Sequence, residues 1–346
     1  MKKPATMPLV SILATGGTVA GKAARPGSVT EYRPGEISPE ALLDSVPGLD
    51  AVARLRCRRV ADIGSEDMTD NVWLALARGI AAEIAREDVA GVVILHGTDT
   101  MEETAVFLDL TMDARGKAVV MTGAMRPADA LSADGPANIL AAVAVAADPS
   151  ARGRGVLVVM NDCVHRARFV VKTDTLALDA FQSTGLGSEG RVVDGKAWFF
   201  RPVDAAEASG AAGAGRLIDV TGATELPRVE IIYGHAGQGR ELVDAAVATG
   251  AWGVVHAGVG MGNVHRTARA ALAEAAGGGM AVVCASRVGG GIVPLTDAMR
   301  RDGFVSARDL NPQKARAALR LALTRVSAAR EIQAFFDRYA GAAGSV

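Results

Sequence analysis

Cysteine, aromatic side chains and an excess of charge are all scarce in this chain of 346 residues, of which only 4% are aromatic. Its three cysteines, Cys57, Cys163 and Cys284, form neither a CxxC pair nor a cluster with histidine. This pattern predicts no zinc site and no disulfide framework, and is typical of buried thiols in a reducing compartment. The net charge is −1, from 37 basic and 38 acidic residues, so the charge gives no reason to expect nucleic acid or a membrane surface as partner.

Long apolar runs are missing as well. No stretch approaches the roughly 18 consecutive apolar residues of a membrane-spanning helix, so we expect no membrane partner. The start Met1–Lys3 resembles the charged end of a signal peptide, but Pro4, Thr6 and Pro8 interrupt the segment that follows. Together with the scattered cysteines, this predicts a protein of the cytoplasm.

Short apolar runs that alternate with helix-like segments are the dominant pattern. The runs are apolar almost throughout, as in parallel strands buried on both faces: Leu9–Ala14, Gly91–Leu95, Ala118–Met121 and Val156–Met160. Between the first two lies Asn71–Arg86, with its apolar residues on one helical face and Asp70 as a candidate N-cap. This alternation predicts an α/β fold with a doubly wound, mostly parallel sheet, where ligands bind at the carboxyl ends of the strands.

The segment 204–226 is rich in glycine and alanine and is predicted as a linker. It divides the chain into a larger amino-terminal α/β domain, residues 1–203, and a smaller carboxyl-terminal α/β domain, residues 227–346. The alternation resumes after it, and a last helix is predicted to begin at Asn311-Pro312, an N-cap followed by proline at the first helical position.

Two of the predicted strands end in glycine turns that present threonines, Thr15–Gly21 and His96–Thr104. Neither turn has the Lys-Ser/Thr ending of a phosphate loop, and the chain has no GxSxG elbow. A threonine hydroxyl must be activated before it reacts, and a lysine held by a carboxylate can do this. Lys172, with apolar neighbours on one side and hydroxylated ones on the other, is the candidate.

Histidine and tryptophan give weaker signals. The five histidines have no metal-ligand spacing, and His96 is predicted to order the turn before Thr98 rather than to catalyse. Trp73, Trp198 and Trp252 are predicted to lie in the core.

The two glycine turns resemble the two signature motifs of the bacterial-type L-asparaginase/glutaminase family. Further segments resemble family segments in the same order, so that the resemblance covers essentially the whole chain: Asp62–Met68, Gly123–Pro127, Ser132–Pro136, Met160–Asp162, Ala257–Gly260, Gly262–Asn263 and Asn311–Arg316.

The resemblance implies catalytic roles. Thr18 matches the nucleophile that forms an acyl-enzyme, and Tyr32 matches the lid tyrosine that helps to activate it. Thr98, Asp99 and Lys172 match a second set that serves proton transfer and the hydrolytic water. Because Thr98 stands where a helix begins, its N–H is predicted to stabilise oxyanion charge. No metal or organic cofactor is implied.

The resemblance also implies how an amino-acid substrate is held. Ser65 and the backbone N–H groups around it, at Gly64 and Glu66, are predicted to bind the substrate carboxylate. Asp99 and Glu66 are predicted to bind the ammonium group, and the Ala124 carbonyl to bind the leaving amide nitrogen. The family further implies a homotetramer, a dimer of dimers, in which Asn263 reaches a neighbour's site.

These residues predict an amidohydrolase that converts L-asparagine to L-aspartate and ammonia. Family members with glutamine at the place of Glu66 favour asparagine strongly, and glutamate there is associated with more glutaminase activity, so some L-glutamine hydrolysis is expected. One departure leaves an alternative. The segment Ser286–Ala298 lacks the glutamate that reaches a neighbour's site in the family, and Asp297 is its only candidate replacement. A catalytically weak amino-acid-binding or sensor protein is therefore the other interpretation.

Overall fold

The computed structural model describes residues 7–25, 28, 30–33, 35–112, 116–203 and 218–340. The chain divides into two compact units, Met1–Thr224 and Glu225–Val346. Within these residues, each unit has a sheet packed against helices, with eight strands in the larger sheet of the first unit and four in the sheet of the second. The predicted fold class is confirmed.

The predicted linker 204–226 is described only in its last part, because residues 204–217 lie outside the described residues. Within that part, Ile218 and Val220 are buried, and the Ile218 N–H donates to the Leu110 carbonyl at 3.0 Å. Residues 218–224 therefore belong to the packing of the first unit. The domain limits 1–203 and 227–346 stay a prediction.

The main sheet of the first unit has a parallel half and an antiparallel half. Its strands are β1 (Leu9–Gly16), β4 (Arg54–Ile63), β5 (Val89–Leu95), β6 (Ala118–Thr122), β7 (Val156–Met160), β8 (Cys163–Arg166), β11 (Gly190–Val193) and β12 (Lys196–Phe199). Their order is β12-β11-β8-β7-β6-β5-β1-β4, parallel from β7 to β4. Two hairpins stand apart from it, β2 (Lys22–Ala23) with β3 (Tyr32–Arg33), and β9 (Val170–Lys172) with β10 (Phe181–Ser183).

Among its described residues, the first unit has the helices α1 (Pro39–Asp44), α2 (Leu49–Val52), α3 (Asp70–Ile84), α4 (Met101–Thr111) and α5 (Gly135–Ala147), with short 3-10 turns at Thr18–Ala20, Ser65–Asp67 and Pro149–Ala151. The predicted N-cap of α3 is wrong by one residue. Thr69 has the extended backbone of a cap, and its hydroxyl accepts from the Val72 N–H at 3.4 Å. Asp70 is instead the first helical residue, where its charge still complements the helix dipole.

Small residues allow close packing of helix on sheet. A Cβ at Gly91 in β5 would lie 2.1 Å from the carbonyl oxygen of Ala146 in α5, so only glycine fits there.

The register places Ala14 of β1 beside Leu95 of β5, and Leu95 beside Thr122 of β6. The turns that follow these three strands are therefore neighbours at the carboxyl edge of the sheet.

The second unit contains a fully parallel sheet of order β13-β14-β15-β16. Its strands and helices are β13 (Val229–Tyr233), α6 (Glu241–Ala248), β14 (Gly253–Gly258), α7 (Arg266–Gly277), β15 (Ala281–Ser286), α8 (Asp297–Arg301), β16 (Phe304–Ser306), α9 (Pro312–Ala322) and α10 (Ala329–Tyr339). The predicted start of α9 is confirmed, since the Asn311 side chain accepts from the Lys314 N–H at 3.1 Å and Pro312 follows it.

The predicted burial of the tryptophans and of the cysteine thiols holds only in part. Trp73 is buried and stacks on Phe107, but Trp198 and Trp252 are 62% and 60% exposed, so their assignment to the core is wrong. Trp198 lies in the edge strand β12, and Trp252 lies just before the first residue of β14.

The three cysteines are free, with Cys284 buried and Cys57 and Cys163 half-buried. Burial raises the pKa of Cys57 to about 11 and that of Cys284 to about 12, and it also raises the pKa of Cys163. Such thiols stay protonated at neutral pH and are poor nucleophiles.

Two buried histidines make stability depend on pH. Burial lowers the pKa of His96 and of His256 to about 4, whereas an unfolded histidine has a pKa near 6.5. Below that value the unfolded chain binds more protons than the folded one, so stability is greatest above pH 6.5 and falls as the pH drops toward 4. For each histidine, the difference between the two pKa values corresponds to about 3 kcal/mol of stability, which is lost once the pH falls below both values.

We therefore expect the urea midpoint of unfolding to fall between pH 7 and pH 4.5, and to fall less steeply in His256→Leu. The leucine variant fills the buried position with an apolar side chain and has no imidazole to protonate on unfolding. Identical slopes in the two proteins would contradict this assignment.

Candidate active site

The first glycine turn brings Thr18 to the carboxyl end of β1. Gly16 and Gly17 have φ of 98° and 83°, a left-handed region that favours glycine. A Cβ at Gly17 would lie 2.5 Å from the Cα of Gly97, so the two predicted turns touch through their backbones. Thr18 itself is 5% exposed, and its Oγ1–H donates to Tyr32 Oη at 2.7 Å.

Tyr32 is held over Thr18 by the β2–β3 hairpin, in which Ala23 pairs with Tyr32. The hairpin is fastened at its base, since the Ala23 N–H donates to Asp129 Oδ1 at 2.8 Å and the Gly21 carbonyl accepts from the Ala128 N–H at 3.0 Å. Contacts with Ala128 and the Asp129 side chain, outside the hairpin, therefore help to hold Tyr32 beside Thr18.

The second glycine turn brings together the predicted threonine, aspartate and lysine. Lys172 Nζ donates to Thr98 Oγ1 at 2.9 Å and to Asp99 Oδ1 at 2.5 Å. The lysine side chain is 16% exposed, whereas that of Asp99 is 53% exposed. Because Lys172 donates to Thr98 Oγ1, the Thr98 hydroxyl hydrogen is left to point elsewhere, and the lysine and carboxylate balance each other's charge.

Ser65 lies against the same turn. Its Oγ accepts from the Asp99 N–H at 3.0 Å, and its carbonyl accepts from Thr100 Oγ1 at 2.8 Å. Since the Ser65 oxygen accepts from protein, its hydroxyl hydrogen can donate to a ligand carboxylate. The exposed Glu66 carboxylate folds back over buried Gly64, where a Cβ would lie 2.3 Å from Glu66 Oε1.

The third turn, after β6, contains Ala124, which is 1% exposed. Within the described part of the chain, no group donates to the Ala124 carbonyl, so it can accept from a leaving amide nitrogen. The turn is fixed by Asp134, whose two oxygens accept from the Met125 and Arg126 N–H groups, each at 2.9 Å. Asn138 Nδ2 adds donations to the Gly123 carbonyl and to Asp134, both at 3.0 Å.

Asp134 and Asn138 are supporting residues that sequence reasoning missed. An aspartate before Gly-Pro has the signature of a helix N-cap, and Asp134 does precede α5, but its side chain makes no cap hydrogen bond. It binds the turn instead. No local pattern marks Asn138, which is a buried residue of α5.

The second unit contains the two remaining candidates. Asn263 is exposed on a tight turn after β14, where its N–H donates to the Val259 carbonyl at 2.8 Å. Asp297 begins α8 with a side chain that is 92% exposed, 4.0 Å from Arg300 Nε. Their predicted roles stay predictions.

Among the described residues, no group of three or more His, Cys, Asp or Glu could hold a metal ion. In the same part of the chain, no helix combines the length and apolar character needed to cross a membrane.

Comparison with known proteins places this site in a family. The family described as "Asparaginase, N-terminal" matches residues 9–204, and "Glutaminase/Asparaginase C-terminal domain" matches residues 228–336. L-asparaginase 2 of Escherichia coli (strain K12) is 44% identical over 336 residues, which are 96% of this chain and 94% of that protein. The glutaminase-asparaginase of Pseudomonas fluorescens biotype A is 39% identical over 333 residues, 95% and 90% of the two chains.

A solved structure agrees with these sequence matches. The crystal structure of a probable cytoplasmic L-asparaginase from Campylobacter jejuni matches with a TM-score of 0.91 and 43% identity, over 96% of this chain and 100% of that one. This chain belongs to the bacterial-type L-asparaginase family.

Proposed function

We propose that the protein hydrolyses L-asparagine to L-aspartate and ammonia, with L-glutamine as a slower substrate. The observation that carries the proposal is the pairing of two hydroxyl sets on touching turns, Thr18 with Tyr32 and Thr98 with Lys172 and Asp99. Relatives of similar length are named L-asparaginase and glutaminase-asparaginase. A sensor would need the binding residues but not this second hydroxyl set, so the enzyme is the better interpretation.

In the first half-reaction, Thr18 Oγ1 attacks the side-chain amide carbon. Its proton passes to Tyr32 Oη, the hydrogen-bonded partner, while Tyr32 gives its own hydroxyl proton to the leaving nitrogen. The carbonyl oxygen becomes an oxyanion, which the Thr98 N–H stabilises. Ammonia leaves from beside the Ala124 carbonyl, and an ester of Thr18 remains.

In the second half-reaction, water attacks the Thr18 ester. Thr98 Oγ1 accepts a hydrogen bond from this water. Lys172 Nζ, which Asp99 holds, acts with Thr98 to move the proton away from the water. The proton that leaves water ends on the released Thr18 hydroxyl, so the enzyme returns to its starting form. Throughout, Ser65 holds the substrate carboxylate, and Asp99 and Glu66 hold its ammonium.

Substrate choice tests the role of Glu66. A carboxylate attracts the substrate ammonium over several ångströms, so it tolerates the shift that the longer glutamine requires, whereas a neutral amide binds only at hydrogen-bond distance. We expect Glu66→Gln to raise the ratio of kcat/KM for asparagine over glutamine by about tenfold, or about 1.4 kcal/mol of discrimination. Ammonia release from both substrates measures this.

The exposed neighbour Asp67 provides the control, since Asp67→Asn removes the same charge without changing the ratio. A wild-type ratio above about 10⁴ would contradict the proposed glutaminase activity. An unchanged ratio in Glu66→Gln would remove Glu66 from the selectivity.

We also propose that the protein acts in the cytoplasm as a homotetramer in which Asn263 completes a neighbour's site. The scattered free cysteines and the similar structure of a probable cytoplasmic L-asparaginase support the location. The exposed side chain of Asn263 supports its role in completing a neighbour's site. Light scattering at micromolar concentration tests the assembly, and a monomer mass would exclude it.

A further inference from the structure

His96 is a buried residue that the proposed mechanism does not use. It follows β5 directly and opens the turn that contains Thr98. Its side chain has no exposed surface, and its backbone N–H donates to the Thr122 carbonyl of β6 at 2.9 Å. The backbone of His96 is therefore fixed at the end of β5, beside the end of β6.

The imidazole makes one short hydrogen bond. Nδ1 lies 2.6 Å from the Gly97 carbonyl oxygen. A carbonyl can only accept, so Nδ1 must carry the proton. Nε2 is buried and has no partner within the described part of the chain. Burial lowers the pKa of His96 to about 4, so near neutral pH the ring stays uncharged.

The Gly97 carbonyl belongs to the same peptide unit as the Thr98 N–H. That unit is planar and trans, so its oxygen and its hydrogen point in opposite directions. By holding the oxygen against the buried ring, His96 turns the Thr98 N–H away from the ring. Among the described residues, none accepts a hydrogen bond from this N–H, which leaves it available to a ligand.

Glycine alone would not hold this peptide in one orientation. Gly97 has no side chain to restrict its backbone, and none can be added, because a Cβ there would lie 2.7 Å from Ser65 Oγ. The hydrogen bond from His96 acts on the carbonyl itself and so restrains the rotation of this peptide.

We propose that His96 is a positioning residue that aims the Thr98 N–H at the oxyanion formed during amide hydrolysis. The inference rests on the proposed function, which assigns that N–H to the oxyanion. An N–H aimed at charge that develops only in the transition state changes kcat. Binding of the substrate carboxylate and ammonium, which Ser65 and Asp99 hold, stays the same.

The test compares two amides at position 96. In His96→Asn the side-chain Nδ2 stands near the place of Nδ1 and still donates to Gly97, whereas in His96→Gln the amide reaches the place of Nε2 and leaves Gly97 unbound. We expect kcat of His96→Asn within about threefold of wild type and kcat of His96→Gln about 10- to 100-fold lower, part of the 10²–10³ lost when an oxyanion donor is removed. The dissociation constant of aspartate should change less than about twofold in both.

Several results would overturn the inference. Equal kcat values in the two variants, or losses of kcat matched by weaker aspartate binding, would make His96 a purely structural residue. Disappearance of the acid limb of the kcat–pH profile in His96→Asn would make it a titrating group instead. Wild-type protein that releases no ammonia from asparagine or glutamine would reject the proposed function itself, whereas active wild type with equal variants rejects only the role of His96.

Discussion

Replacing Thr18 with valine should abolish hydrolysis. The variant keeps the shape of the side chain but has no Oγ1 to attack the amide carbon, so kcat/KM for asparagine should fall by at least about 10⁴, as when the nucleophile of a covalent mechanism is removed. Because Thr18 is buried on a turn that glycines shape, the substitution should leave the fold intact. Ammonia release measures the loss.

Thr15→Val is the matched control. Thr15 lies three residues earlier, near the end of β1, and is also buried, but its hydroxyl donates to the Leu95 carbonyl at 3.0 Å and so has a structural partner. Its loss should cost about 1 kcal/mol of stability and leave activity within tenfold of wild type. If Thr98→Val prevented acyl-enzyme formation while Thr18→Val did not, the nucleophile would be Thr98.

Lys172→Met should have the next largest effect on the rate, and it should slow a different half-reaction. It removes the Nζ that binds Thr98 Oγ1 and Asp99 Oδ1, while methionine preserves the length of the side chain. Loss of a general acid–base group costs about 10²–10⁴ in rate. Asp99 is 53% exposed, so water can solvate the carboxylate left without its partner and the protein should still fold.

The loss of rate should fall on the second half-reaction, in which Lys172 helps to deprotonate the hydrolytic water. A rapid-quench experiment should then show a first turnover of ammonia close to one per site, followed by slow steady release. Lys196→Met, an exposed lysine of β12, should behave as wild type. A Lys172→Met variant without a burst would place the lysine in the first half-reaction.

The sheet was predictable wherever its strands are buried on both faces. β1, β5, β6 and β7 are apolar in sequence because helices cover them on both sides, so burial and sequence carry the same information. The edge strand β4 contains Arg54, Arg56, Arg58 and Arg59, and its sequence lacks the apolar run that marks the other strands. At an edge, long cationic side chains keep their charge in water while the backbone pairs with β1.

The site was predictable in its residues but not in its contacts. Thr98 and Lys172 are 74 positions apart, and no local pattern brings them together; the β9–β10 hairpin that presents Lys172 does so. The resemblance to a family supplied Tyr32, which a sequence pattern alone does not mark. Asp134 and Asn138 escaped prediction because their partners are backbone groups of the turn after β6, which only the folded chain brings within reach.

The central claim is that Thr18 becomes acylated, and mass spectrometry of acid-quenched Lys172→Met tests it most directly. After brief exposure to L-asparagine, the digested protein should show an aspartyl group on the peptide that contains Thr18. Lys22 and Arg58 are among the cleavage points that separate this peptide from the one that contains Thr98, so the two threonines are distinguishable. An aspartyl group on the Thr98 peptide, or turnover with no adduct on either, would contradict the account.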